Sequence, residues 1–248
     1  MILALLACDT PEKEATPPSM QELVWLLVHD FPDESAVTEA DLLGDWIDDE
    51  IDHAEEGYAL EVPAQSYVDE LTFDEEFDLQ ATAGAMVIRR MSGDMADYVA
   101  TVPEPDQSFA DDSYDRWDRT LTSGTEQGFI GGEELVTDDA IEKNAGFGIV
   151  LPYPMKRDYR WIELDRGSTV LTRSNIYEAG WADDSNGVVG GFTIEAWLPS
   201  DDGFIWMNAT WTEVVSLVGD NEEFYQNQII DGSTEVMEGT EAYVAAGG

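Results

Sequence analysis

Basic residues are scarce in this chain: 11 Lys+Arg stand against 54 Asp+Glu in 248 residues, for a formal net charge of −43. A field of that sign repels phosphate at every approach, which excludes bare nucleic acid and an anionic membrane face as partners. Cysteine is nearly absent. The single Cys8 permits no intramolecular disulfide and no four-cysteine zinc site. No apolar run reaches the ~18 residues that a membrane-spanning helix needs. Histidine is limited to His29 and His53. His53 has Asp49, Glu50 and Glu56 at helical spacing, but acids this common place carboxylates there by chance, and the H-E-x-x-H pattern is missing. The G-x-S-x-G elbow and a phosphate-cradling glycine loop are also missing, and Asp183–Gly187 lacks the sixth-position Gly and final Glu of a calcium loop. No catalytic residue, metal or cofactor is expected.

What remains is ample for a folded body. Hydrophobic residues make up 43% of the chain and aromatics 10%, far above the composition of a disordered acidic tail. The acids lie scattered between apolar positions, as a solvated coat does. Such a coat repels itself unless counter-ions screen it, which fits saline surroundings or a surface kept soluble by hydrated carboxylates.

Ser19 with Glu22 forms a capping box, and Met20, Leu23, Val24, Leu27 and Phe31 follow at helical spacing up to Pro32. Thr38 with Asp41 predicts a second helix with Leu43, Trp46, Ile47, Ile51 and Ala54 on its stripe, stopped by Gly57. From about residue 58 the period changes to two. Strands are expected over Tyr67–Leu79, Ala85–Met91, Tyr98–Val102 and Trp117–Ser123, then a helix over Gly132–Lys143. An antiparallel meander follows: Tyr159–Asp165, Ser168–Tyr177, Val188–Leu198 and Phe204–Val215, with turns at Arg166-Gly167, Asp183–Gly187 and Ser200–Gly203. Tyr225, Ile229, Val236, Thr240 and Tyr243 predict a terminal helix, weakened by Gly232 and Gly239. Two short N-terminal helices, a curled antiparallel sheet and a long C-terminal helix make one α+β domain over 20–248. Large aromatics on both sheet faces mean a sheet covered on both sides or one that lines a pocket, with plain core packing as the simpler alternative.

The opening Met1–Ala7 followed by Cys8 resembles the lipobox of bacterial lipoproteins, with Leu5-Leu6-Ala7-Cys8 as its core. The resemblance implies a signal-peptide remnant over 1–7 and a lipidated Cys8 with a Pro-rich tether over 8–19. The body would then be held at the cell envelope through a lipid anchor alone, on the periplasmic or cell-surface side. The alternative is a buried strand ending in a core thiol.

The segment Leu151-Pro-Tyr-Pro-Met-Lys-Arg-Asp-Tyr159 resembles the P-x-P…R-D signature of START domains. The order of elements over 147–246 is similar too, down to Trp211-Thr212-Glu213 before the last helix. The resemblance implies a helix-grip architecture, in which a curved sheet and a helix enclose an apolar tunnel for a lipid or other hydrophobic small molecule. Arg157 and Asp158 would form its polar end, and Trp197, Trp206 and Trp211 its wall. Asp106-Gln107-Ser108 and Asp118-Arg-Thr120 look like segments of uncharacterised acidic lipoproteins of myxobacteria-like organisms. The leading expectation is non-catalytic binding of a hydrophobic or amphipathic ligand. Its alternatives are an acidic protein-interaction module and a hydrolase using paired carboxylates.

Overall fold

The computed structural model describes residues 18–51, 57–146, 148–216 and 221–248. Cys8, the tether as far as residue 17, and His53 lie outside the described residues.

The chain opens with helices α1 (Met20–Asp30) and α2 (Ala36–Glu50). Ser19 caps α1 as expected, its hydroxyl accepting from Glu22 N at 3.3 Å. Helix α2 begins before the expected box: Ser35 is its N-cap and makes no side-chain cap bond. Strands β1 (Tyr58–Leu60) and β2 (Ala83–Met91) follow, then α3 (Met95–Thr101), β3 (Tyr114–Ser123), α4 (Glu126–Ile130) and β4 (Leu135–Asn144). The meander comprises β5 (Val150–Leu164), β6 (Gly167–Ile176), β7 (Gly180–Asp183), β8 (Asn186–Ser200) and β9 (Gly203–Val215), and α5 (Glu222–Ala245) closes the described chain.

All the strands join one antiparallel sheet in the order β1-β2-β9-β8-β6-β5-β4-β3, with β7 paired to β8. The turns at Gly167 and Gly203 are those the sequence marks. Both glycines sit at positive φ, and a Cβ on Gly203 would lie 2.3 Å from the Met91 carbonyl. Pro152 and Pro154 fit within β5 because that stretch precedes Lys156, where pairing with β6 begins.

The pleat divides the side chains between two cores. Phe192, Ile194, Ala196 and Leu198 of β8 and Ile205, Met207, Ala209 and Trp211 of β9 pack outward with Leu27, Leu43 and Ile47 of α1 and α2. Alternate residues face inward, where Val87, Trp197, Phe204 and Trp206 meet α3, α4 and Met237 of α5. The architecture is therefore α+β, a sheet between outer helices and the long C-terminal helix it grips.

Three expected elements differ. Tyr67–Leu79 is a loop with 3-10 turns at Gln65–Tyr67 and Leu79–Ala81, because Asp74 and Asp78 bind their own backbone at Glu76 N and Gln80 N instead of a ladder. Phe73 and Phe77 of this loop stack at 4.2 Å over the outer core. Tyr98–Val102 lies in α3, whose N-cap Asp94 accepts from Ala96 N. Gly132–Lys143 contains strand β4, and the nearest helix is the short α4 before it.

The two glycines of α5 have opposite roles. At Gly239 the helix passes so close to the 3-10 turn Ser108–Ala110 that a Cβ would sit 2.0 Å from Ala110 O. At Gly232 the nearest atom is the flexible Lys143 Nζ at 3.2 Å. Gly239→Ala is expected to destabilise by about 1–3 kcal/mol despite alanine's better helix propensity, whereas Gly232→Ala should be neutral or stabilising by up to about 1 kcal/mol. Chemical denaturation of both variants reads the contrast, and a stabilising Gly239→Ala would contradict the close approach.

The charge of the surface makes a second prediction. Going from about 0.01 M to 1 M salt shortens the screening length from ~30 Å to ~3 Å. With a net charge of −43, this is expected to raise the thermal midpoint by more than about 5 °C. A midpoint that falls with salt would show that attractive surface pairs outweigh the repulsion.

Candidate functional site: a cavity between the sheet and the terminal helix

The concave side of the sheet does not close fully on α5. Between them lies a cavity of about 770 Å³ with a mainly apolar lining, within the ~300–1,000 Å³ usual for small-molecule sites. Met155, Ile176 and Val188 form part of its sheet wall, and Ile229, Val236 and Met237 face them from α5. A hydroxyl chain crosses the floor. Thr193 and Thr210 meet at 2.9 Å, and Asn208 Oδ1 accepts from Thr210 at 3.0 Å and from Ser233 of α5 at 3.1 Å.

Deeper in the sheet sits a cluster of two arginines and two acids. Arg119 lays its guanidinium fork on Asp139, with Nε to Oδ1 at 3.0 Å and Nη2 to Oδ2 at 2.7 Å, and its Nη1 donates to Val102 O at 2.7 Å. Both side chains are buried, at 3% and 0% exposure. Asp139 also accepts from Trp117 Nε1 at 2.9 Å and Thr137 Oγ1 at 3.0 Å. Arg157 lies 3.2 Å from Glu195 Oε1 and 3.6 Å from Asp139 Oδ2, and Glu195 Oε2 accepts from Trp206 Nε1 at 3.0 Å. The Trp117 ring adds cation–π contact to both guanidinium groups, at 5.7 Å and 5.2 Å.

Burial pushes the Asp139 carboxyl upward, but the charge and hydrogen bonds of Arg119, with Arg157 and Trp117, outweigh it and hold the pKa below the usual range. Burial likewise disfavours charged Arg157, yet Tyr159, Glu195 and Asp139 more than offset it, so its pKa is raised. Tyr114, a lining residue, is pushed by burial to about 12 and stays protonated at neutral pH. Because the folded pKa of Asp139 lies below its unfolded value, its stabilising contribution is complete above the unfolded value and is lost as pH falls through the folded one. A carboxyl-carbon NMR titration is expected to place Asp139 below the ordinary ~3.9, and a midpoint above that would contradict the ion cluster.

The residues singled out from sequence divide between the two faces. Arg157, Trp197 and Trp206 border the cavity, and the two indoles lie 5.0 Å apart. Asp158 does not join Arg157, since adjacent strand residues point to opposite faces. It pairs instead with Lys156 at 3.1 Å in a shallow outer cleft of about 400 Å³ that also includes Arg173 and Tyr177. Trp211 adjoins the cavity, but its ring stacks on Phe192 at 5.0 Å in the outer core and donates Nε1 to Glu61 O. Asp106 and Asp118 form an isolated antiparallel β-bridge.

Arg119, Asp139 and Glu195 escape the sequence reading. For Asp139 and Glu195 the one signal is an acid at an inward strand position beside apolar residues, Asp139 ahead of Ala140-Ile141 and Glu195 between Ile194 and Ala196-Trp197; Arg119 carries no such signal. Among the described residues, no group of three or more His, Cys, Asp or Glu is placed to hold a metal ion.

No family model and no curated protein matches the sequence. Solved structures do. A STAR-related lipid transfer protein fragment from Xanthomonas axonopodis is 8% identical with a TM-score of 0.45, covering 77% of this chain and 99% of its own. The protein TTHA0849 from Thermus thermophilus is 13% identical with a TM-score of 0.44, over 67% of this chain and 98% of that one. The human StarD13 lipid transfer and protein localization domain is 10% identical with a TM-score of 0.39, over 82% and 95%.

Proposed function

We propose that the protein binds a hydrophobic or amphipathic small molecule, without catalysis, in the cavity between the sheet and α5. The observation that carries this reading is the cavity of about 770 Å³ itself, with a lining more apolar than polar. A filled core would have no use for such a volume, because empty space forfeits dispersion contacts. The paired carboxylates favour binding over hydrolysis. Asp139 and Glu195 are both held by arginine and indole donors, and Asp139 is shifted down, opposite to the raised pKa of a general acid. With Leu5–Cys8 as a lipidation signal, the binding body would be tethered at the bacterial envelope, facing the periplasm or the cell exterior.

The test uses an environment-sensitive apolar fluorophore. One fluorophore per chain is expected to bind with a blue-shifted emission, and a hydrophobic ligand should displace it. Absence of saturable binding would overturn the reading.

A further inference from the structure

We infer that the cavity's ligand is uncharged and carries an acceptor oxygen, as a long-chain alcohol, ketone or ester does, and is not a fatty-acid or phospholipid anion. The inference rests on the binding reading above and specifies its ligand class.

Three observations support it. First, among the described residues no positive charge on the cavity wall is spare. Arg119 is saturated by Asp139 and Val102 O, Arg157 faces Glu195 and Asp139, and Lys143 lies 3.8 Å from Asp111. An anionic head group would have to compete with a carboxylate already in place, at a site where an unpaired charge is costly. Second, the rim is acidic. Asp231 and Glu235 border the cavity from α5, and a chain with a net charge of −43 repels an approaching anion.

Third, among the described residues the buried cavity-lining side-chain atoms without a hydrogen-bond partner are one hydroxyl and two N–H groups, and no carboxylate. Ser174 lies directly across the β5–β6 ladder from Arg157. Its Oγ has no hydrogen-bond partner among the described residues, and neither does Trp197 Nε1 farther along the wall, whereas Arg157 Nε makes no hydrogen bond but faces Asp139 Oδ2 at 3.6 Å. Ser174 and Trp197 are 2% and 3% exposed, and both border the cavity with Arg157. The Ser174 hydroxyl rotates to donate, so an acceptor oxygen bound beside it would satisfy a group that is otherwise buried unpaired.

The experiment measures displacement of the fluorophore by molecules of one chain length: methyl palmitate, palmitate at pH 8, the matching long-chain amine and the matching hydrocarbon. Methyl palmitate is expected to bind about 100-fold tighter than palmitate and about tenfold tighter than the hydrocarbon. In Ser174→Ala the preference over the hydrocarbon should shrink, while hydrocarbon binding holds. Palmitate or the amine binding as tightly as the ester would overturn the inference and leave the binding reading intact. An undiminished ester preference in Ser174→Ala would overturn the assigned position of the oxygen. Failure of every probe, the fluorophore included, would remove the binding reading and this inference with it.

Discussion

Arg119→Met is expected to destabilise the protein by about 3–5 kcal/mol, because it leaves the Asp139 carboxylate buried without its main counter-charge. That is a large part of the ~5–15 kcal/mol that usually separates folded from unfolded chains. Asp139 would keep its bonds from Trp117 and Thr137 and the 3.6 Å approach of Arg157, which are too little to replace a bidentate fork. The double replacement Arg119→Met with Asp139→Leu removes both charges and leaves Arg157 with Glu195, still balanced. It should therefore cost less than the single change. Urea denaturation of the two variants reads the comparison. A double variant no better than the single one would mean that the cluster's value lies in packing and not in charge pairing.

Thr193→Trp is expected to weaken ligand binding strongly with little effect on stability. Thr193 stands on the concave floor and borders the empty volume, so an indole there enters space that a ligand would occupy. Loss of about 100 Å² of apolar contact, at ~25 cal/mol per Å², weakens binding by roughly 100-fold. Overpacking would ordinarily cost about 1–3 kcal/mol, but filling a void avoids most of that. Fluorophore binding and thermal unfolding, measured together, check it. Retained binding in a folded Thr193→Trp would place the ligand elsewhere.

Much of the scaffold is legible from period and punctuation. Strands β6, β8 and β9 and the Tyr159–Leu164 end of β5 follow from alternation broken by Gly167 and Gly203, and α1 follows from Ser19 and its apolar stripe, whereas β5 begins at Val150, nine residues ahead of the expected start, where two prolines mask its period. Strand β4 is hidden for a physical reason. Its inward residues include Thr137 and Asp139, polar because they build the buried ion cluster, so the expected apolar alternation is interrupted where the cluster lies. Strand-like Tyr98, Val99 and Val102 belong instead to α3 and its C-cap, where the Asp94 cap prevails over their β-propensity. The site shows the same division. Scarcity draws notice to Arg157, whose role in the cluster depends on β3, β4 and β8 arriving beside it. Only the fold brings Arg119, Asp139 and Glu195 there from three separate strands. Which face Trp211 takes is likewise set by register, since a single-residue shift exchanges the faces of a strand.

Native mass spectrometry of the full chain, purified from its own cells without detergent, tests the central claim most directly. A population carrying one small apolar molecule per chain is expected, with that mass lost in Thr193→Trp. A bare protein mass alone, unchanged after exposure to a total lipid extract, would contradict it.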